Sequence, residues 1–158
     1  MYKFKPNKEK TSAVIALVAV IVGILFFAIS AYLRIPPIIS QVFGIALIVF
    51  GLQIMQRYVL SDFTYIIDDK DGEDSVLNVV RTQGKNSITV CSVSLYRCEY
   101  IDDIEKYGKK ADNSFDYSQN LKANKLVLIY NDDGKNIMIK LEFDENFKRQ
   151  LLSRLNIN

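Results

Sequence analysis

Two long runs of apolar residues dominate the first third of the chain. Thr11–Leu33 and Ile38–Gln56 contain no charged residue, and a short turn with Arg34 and two prolines separates them. As helices rising about 1.5 Å per residue, runs of this length span roughly 30 Å, which is the thickness of the hydrocarbon core of a bilayer. A helix also satisfies its own backbone hydrogen bonds, which lipid cannot do. The pattern predicts a transmembrane hairpin over residues 11–58, with helices at 11–33 and 38–57.

Charged residues flank this hairpin unevenly. Residues 1–10 form a basic lead, in which four lysines accompany Glu9, and Arg57 follows the second helix. Because basic residues are enriched on the cytoplasmic side of membrane proteins, we expect a two-helix protein of the cell membrane with both termini in the cytoplasm. The alternative is a secretory signal peptide, since Ala28 and Ser30 resemble a cleavage site. An uncleaved anchor fits better, because the apolar run is long and a second run follows at once.

Residues 59–158 alternate short apolar runs with turn signals, which predicts one soluble domain rich in β-strands. The predicted strands are Ser61–Ile67, Val76–Thr82, Ile88–Leu95, Lys125–Tyr130 and Asn136–Phe143. In the last strand apolar and charged residues alternate, which is typical of an antiparallel strand with one face in solvent. Asp144 then predicts a helix N-cap, and the helix that follows has one apolar stripe formed by Phe147, Leu151, Leu152 and Leu155. The polar stretch Asp102–Asn120 is predicted to be a long loop.

The domain is mildly acidic and lacks side chains that many catalytic sites need. Of the 20 Lys and Arg residues six precede residue 59 and 14 follow it, whereas 17 of the 18 Asp and Glu residues follow it, so the domain carries a formal charge of −3. This charge argues against nucleic acid binding, which needs a basic face. The chain has no histidine, which excludes Ser-His-Asp and Cys-His catalysis and imidazole metal sites. Cys91 and Cys98 are too few for a disulfide framework and are expected to be reduced thiols.

The acidic run Asp68–Asp74 invites a calcium-site interpretation, and Asp132-Asp133-Gly134 is a second acidic segment that is interpreted as a turn. With Gly72 at the sixth position of a calcium-binding loop, the twelfth position holds Asn78 instead of the required glutamate. We therefore expect a solvated turn here. No pair of carboxylates elsewhere has a spacing that defines an acid–base site, so we expect a non-enzymatic protein without metal or cofactor.

Aromatic and basic residues bracket the long polar stretch and form a candidate binding site. These residues are Tyr96, Tyr100, Tyr107, Lys109, Lys110 and Tyr117. Tyrosine is common in binding surfaces, because its ring buries area while its hydroxyl group stays polar. The alternative interpretation is that the tyrosines pack the core and anchor the loop, while the lysines are solvated. An exposed strand edge offers a second way to bind a partner peptide, by β-addition.

The order of these elements resembles a pleckstrin-homology-like (PH-like) domain, in which an antiparallel β-barrel or sheet is closed by a C-terminal helix. The segments that carry the resemblance are Tyr58–Ile67, Val79–Thr82 with Gly84, Phe115–Leu121, Lys125–Tyr130 and Ile137–Phe143. The chain is similar to small bacterial membrane proteins with such a domain directly after two transmembrane helices, a family of uncharacterised function. The resemblance implies an α+β membrane protein and supplies no catalytic residues. Phosphoinositide binding does not transfer, because the first turns are acidic or hold a single lysine.

These inferences lead to one functional hypothesis and one alternative. The hypothesis is a membrane-anchored, non-enzymatic PH-like module that binds a protein or peptide partner at the inner membrane surface. The alternative is an oligomeric pore or membrane-tension element whose domain drives assembly, motivated by small residues that let helices approach closely. The small residues are Ala16, Ala19, Gly23, Gly44 and Gly51. The interpretation that we favour for these residues is packing of the hairpin onto itself.

Overall fold

The computed structural model describes residues 1–29, 36–69, 75–104, 111–132 and 134–155. It divides into two compact units. One unit is Lys8–Ser61, and the other combines Met1–Asn7 with Asp62–Asn158. Met1–Asn7 thus belong to the same unit as the C-terminal part of the chain.

The unit Lys8–Ser61 is a pair of apolar helices, α1 (Lys10–Ile29) and α2 (Pro37–Ile54). A proline opens α2, where its missing N–H group costs no helical hydrogen bond, and a π-helical turn, Met55–Val59, follows. Both helices are long and apolar enough to span a membrane, as predicted, and only 17% and 22% of their apolar windows are buried. The predicted end of the first helix at residue 33 lies outside the described residues.

Three glycines allow the two helices to pack closely. A Cβ atom added to Gly23 would lie 2.8 Å from the carbonyl oxygen of Gly44, and one added to Gly51 would lie 2.8 Å from that of Ala16. Only glycine fits at such separations, since any Cβ atom would overlap the backbone of the facing helix. The small residues therefore pack the hairpin onto itself, which was one of the two interpretations of their spacing.

The described strands form two four-stranded sheets. The strands are β1 (Tyr2–Phe4), β2 (Ser61–Asp68), β3 (Val76–Gln83), β4 (Asn86–Ser94), β5 (Cys98–Asp103), β6 (Asn113–Asp116), β7 (Lys125–Asp132) and β8 (Lys135–Glu142). The first sheet has the order β1-β2-β3-β4, and the second has the order β5-β7-β8-β6. The pairs β1–β2, β3–β4, β5–β7 and β7–β8 are antiparallel, whereas β6 is parallel to β8. The described strands do not close into a barrel. The predicted α+β class is therefore confirmed with open sheets, and the barrel alternative is not.

One hydrophobic core joins both sheets to the C-terminal helix α3 (Glu145–Leu152). Its largest fully buried side chains include Tyr65, Leu77, Leu128, Leu141 and Phe147. The helix begins where predicted, because the Asp144 carboxylate accepts a hydrogen bond from the backbone N–H of Phe147 at 2.6 Å.

The N-terminal strand β1 was not predicted from the sequence. It pairs Tyr2 with Ile67 and Phe4 with Tyr65, and the Phe4 ring stacks on Phe147 with 5.0 Å between ring centroids. The residues that precede the first helix therefore complete the edge of the first sheet.

The polar stretch predicted as one loop contains two strand segments. Asp102 and Asp103 belong to β5, and Asn113–Asp116 forms β6. The loop prediction is therefore wrong at these positions, because β6 pairs in parallel with the distant strand β8 and so gains hydrogen bonds that its own sequence does not indicate.

Candidate binding surface

Two of the six predicted site side chains are described, and their surroundings differ. Tyr96 lies in a short 3₁₀ turn between β4 and β5 and is 69% exposed. Tyr117 is half-buried, with its ring 6.1 Å from that of Phe63, and its hydroxyl group donates to the carbonyl oxygen of Val90 at 3.4 Å. Tyr117 is thus an internal anchor, whereas Tyr96 is presented to solvent. The residues outside the described part of the chain are Tyr107, Lys109 and Lys110, together with the side chain of Tyr100.

A buried polar network fixes the segment that follows β6. The Glu142 carboxylate accepts hydrogen bonds from the backbone N–H groups of Gln119 and Asn120 at 3.0 Å, and from the Asn120 side-chain amide at 2.9 Å. The Gln119 side-chain oxygen accepts from the backbone N–H of Phe63 at 2.8 Å. Because buried polar groups are costly unless they are hydrogen-bonded, this network holds the segment firmly between β2 and β8.

Asp116 secures the same segment from its other end. Its carboxylate accepts from the backbone N–H of Ser118 at 2.9 Å and from Lys125 Nζ at 2.6 Å. Burial raises the pKa of Asp116, but the hydrogen bonds from Lys125 and Ser118 outweigh burial and hold the pKa below its ordinary value. Asp116 is therefore ionised at neutral pH and engaged in internal contacts, as expected of a structural group.

The longest sheet edge among the described strands is β4. It has nine residues, whereas the other edge strands β1, β5 and β6 have three, six and four. The segment Asn86–Ser94 contains no charged residue and no proline, although such residues commonly protect an edge from pairing with another chain. Residues 86–89 are exposed. The edge is therefore suited to pairing with an extended segment.

The β3–β4 turn indicates which backbone groups of β4 point outward. Gln83 and Asn86 pair across a two-residue turn, in which Gly84 has a positive φ of 61°. In such a hairpin the closing pair is hydrogen-bonded, and hydrogen-bonded and non-hydrogen-bonded pairs alternate beyond it, here as far as Thr89, after which a bulge shifts the register. Ser87 and Thr89 therefore direct their N–H and C=O groups away from β3, where a partner strand reaches them.

Exposed apolar side chains accompany this edge. Ile88 is 51% exposed and lies opposite Arg81 of β3, whereas Val90 is half-buried at a bulge, where the register of β3 and β4 shifts by one residue. Phe115 is 46% exposed and stacks on Tyr117, with 6.4 Å between ring centroids. Since Tyr117 also reaches the Val90 carbonyl group, it links Phe115 to β4. Main-chain groups and apolar side chains thus occur together, which is the combination that β-addition uses.

The two cysteines are free thiols, as expected, and both are half-buried. Burial raises the pKa of Cys91, and it raises the pKa of Cys98 to about 12, with a further contribution from the nearby Cys91. Since the thiolate is the nucleophilic form, the raised pKa values lower the reactivity of both thiols at neutral pH.

A polar cleft of about 330 Å³ lies beside the start of α3. Its lining residues are Asp103, Ile104, Ala123, Asn124, Lys125, Phe143 and Glu145. Lys125 pairs with Asp116 at 2.6 Å, and Asp103 pairs with Lys148 at 2.9 Å. Internal ion pairs thus neutralise two of the charged side chains of the cleft. The cleft is therefore a weaker candidate site for a charged ligand than its residue types alone indicate.

The structure also bears on the acidic run after β2. Within the described residues, no group of three or more His, Cys, Asp or Glu side chains is arranged to hold a metal ion, and residues 70–74 lie outside them. Asp69 accepts two hydrogen bonds from Arg154, at 2.6 and 2.9 Å. These bonds, with another from Ser75, hold the pKa of Asp69 well below its ordinary value. Asp69 thus connects the end of β2 to Arg154, which follows α3.

The β4 edge, with Ile88, Phe115 and Tyr117 beside it, is the described surface best suited to binding. It is uncharged and combines exposed main-chain groups with exposed apolar side chains. Comparison of the chain with protein-family models, curated proteins and solved structures found no match.

Proposed function

We propose that this protein is a membrane-anchored, non-enzymatic module whose β4 edge binds an extended segment of a partner protein at the inner surface of the cell membrane. The observation that carries the proposal is the length of β4, an edge strand of nine residues without charge or proline. Edge strands of this kind are templates for pairing with another chain. The PH-like assignment of the domain is part of the proposal, supported by two sheets that share one core with a C-terminal helix.

Membrane anchoring is supported by the apolar surface of the hairpin. Large apolar side chains are exposed along both helices, including Val14, Leu17, Val42 and Phe50. Lipid accommodates such a surface, whereas water does not. A helix in the core of a soluble protein would instead bury most of its residues, and here fewer than a quarter are buried.

The pairing of β1 with β2 supports a topology in which both ends of the hairpin lie on the same side of the membrane. Because Met1–Asn7 and Asp62–Asn158 form one folded unit, both must lie on the same side of any membrane that the hairpin spans. Cleavage at Ala28–Ser30 would separate β1 from its partner strand, which favours an uncleaved anchor. The four lysines of residues 1–10 favour the cytoplasmic side.

Topology is testable with a single exposed cysteine. In a chain carrying Cys91→Ser and Cys98→Ser, we expect Lys85→Cys, in the exposed β3–β4 turn, to escape a membrane-impermeant maleimide on intact cells and to react fully after lysis. The native thiols are poor reporters, because their burial and raised pKa values slow the reaction on either side. Equal labelling of Lys85→Cys before and after lysis would contradict a cytoplasmic domain.

Partner binding at β4 is testable by removing one outward N–H group. Linear peptides selected from a displayed random library against the full-length protein are expected to bind Thr89→Pro about tenfold or more weakly than the parent, because proline removes a hydrogen-bond donor and obstructs the partner strand. Thr89→Val is the matched control, since it keeps the N–H group and the shape of the side chain. It is expected to bind with the parent affinity.

The same measurement can overturn the proposal. Selected peptides that bind the parent and Thr89→Pro equally would occupy another surface, and a selection that enriches no peptide would remove the support for peptide recognition. An unchanged urea midpoint for Thr89→Pro shows that the fold is intact, as expected for proline on an edge strand.

A further inference from the structure

Cationic residues from both ends of the hairpin meet at one place. Lys8 Nζ donates to the carbonyl oxygen of Val59 at 2.6 Å, and Lys10 is the first residue of α1. Arg57 lies in the π-helical turn after α2, and its guanidinium group is 5.1 Å from the ring centroid of Tyr58. All of these residues belong to the hairpin unit. We call this cluster of Lys8, Lys10, Arg57 and Tyr58 the basic end.

The basic end keeps a positive charge whichever internal contacts its side chains make. In residues 8–10 and 55–61, Lys8, Lys10 and Arg57 are cationic and Glu9 is acidic, which gives these segments a formal net charge of +2. The carbonyl oxygen that accepts from Lys8 is neutral and leaves the charge of the ammonium group in place. An anion at this position is therefore attracted by the cluster as a whole.

Exposed apolar side chains lie beside the basic end. Val14 and Leu17, about one and two turns into α1, are more than half exposed, and so is Leu52 of α2. Gly51 packs against the backbone of Ala16, which sets Leu52 level with this part of α1. A cationic cluster thus adjoins an apolar surface within one unit. A ligand with both an anionic group and an apolar part would contact both surfaces, whereas a small soluble anion would contact only the cations.

We propose that the basic end binds the headgroup of an anionic phospholipid, with the acyl chains along Val14, Leu17 and Leu52. Arg57 and the lysines supply charge-assisted hydrogen bonds to the phosphate. Tyr58 suits the headgroup region, where a ring with one polar end is stable. Binding at this site rests on the membrane placement proposed above and adds a specific lipid class to it.

The probe is phosphatidylglycerol, and phosphatidylcholine with identical acyl chains is the comparison. Each lipid is added to the full-length protein in mild detergent, and native mass spectrometry counts the lipid molecules that the protein retains. We expect preferential retention of phosphatidylglycerol. The variant Lys10→Gln with Arg57→Gln is expected to bind it about 25-fold more weakly, since each cation near an anionic lipid contributes about fivefold. Binding of phosphatidylcholine is expected to stay unchanged.

Two further variants separate the loss of charge at this place from other effects. Lys85→Gln with Lys135→Gln removes two charges from exposed positions at two β-turns of the domain and is expected to keep the parent affinity. Lys10→Arg with Arg57→Lys keeps both charges and is expected to keep most of the binding. If the glutamine variants of the basic end and of the turns lost phosphatidylglycerol binding equally, the result would contradict the proposed lipid site.

The remaining outcomes distinguish the lipid site from the membrane placement. Flotation of the reconstituted protein with vesicles after an alkaline carbonate wash tests membrane insertion by itself. A protein that inserts but retains both lipids equally contradicts the lipid site alone, whereas a protein that does not insert contradicts the placement and the site together. Displacement of phosphatidylglycerol by soluble glycerol phosphate would overturn the lipid as the ligand in favour of a free anion.

Discussion

Replacing Phe147 with alanine is expected to lower the free energy of unfolding of the domain by about 4 kcal/mol, the middle of the range for a buried phenylalanine. Phe147 is fully buried, and its ring lies 5.0 Å from that of Phe4 and 5.4 Å from that of Tyr65. The substitution leaves a cavity where α3, β1 and β2 meet. Since a domain of this size is stable by roughly 5–15 kcal/mol in total, the variant keeps only a small margin.

Urea unfolding of the full chain in mild detergent, followed by circular dichroism of the β-sheets, measures this loss. Phe115→Ala is the matched control, because Phe115 is 46% exposed and its removal creates no enclosed cavity. We expect the control to cost less than about 1 kcal/mol. Similar losses for the two variants would contradict the central position of Phe147 in the core.

The helix around Phe147 shows what local sequence patterns predict well. The cap at Asp144 and the burial of Phe147 and Leu151 follow from spacing alone, and the structure confirms them. Leu152 was predicted on the same apolar stripe, but it is 41% exposed. Five residues beyond Phe147 is a rotation of roughly 140° around the helix, which turns Leu152 away from the core.

Local sequence patterns did not predict the strands that depend on pairing with distant segments. The alternation in β8 predicted the burial of Ile139 and Leu141 correctly. In contrast, β1 has only three residues and lies within a lysine-rich segment. Its residue Phe4 pairs with Tyr65 of β2, and the whole hairpin separates these two residues in the sequence. The parallel pairing of Phe115 with Ile139 likewise joins segments that are separated by β7. Short strands such as these are defined by the neighbouring strand rather than by their own propensity.

The candidate binding surface was predictable in part. The lack of charge in Asn86–Ser94 is visible in the sequence, but its position at a sheet edge follows only from the strand order. The internal role of Tyr117 likewise depends on its contact with Phe63 of β2. The sequence therefore indicated a region rich in aromatic residues, and the fold separates the tyrosine that anchors it from the exposed Tyr96.

The second large effect is expected in the hairpin, where Gly51→Leu should force the two helices apart. A Cβ atom at Gly51 would lie 2.8 Å from the carbonyl oxygen of Ala16 and 2.8 Å from Cγ2 of Val20. A backbone oxygen cannot turn aside as a flexible side chain does, so α1 and α2 must shift. Overpacking of this kind costs about 1–3 kcal/mol even where side chains can adjust.

Spin labels at Val14 and Leu52, both exposed, measure the separation of the helices in a chain without the native cysteines. We expect a longer and broader distance distribution for Gly51→Leu, and the parent distribution for Ala46→Leu, which adds the same side chain at an exposed position of α2. The result also bears on the oligomeric pore, because glycines that contact the partner helix of their own hairpin give no evidence of a seam between chains. If Gly51→Leu instead left the helix separation unchanged and dissociated an oligomer, Gly51 would lie between chains and the hairpin packing would be wrong.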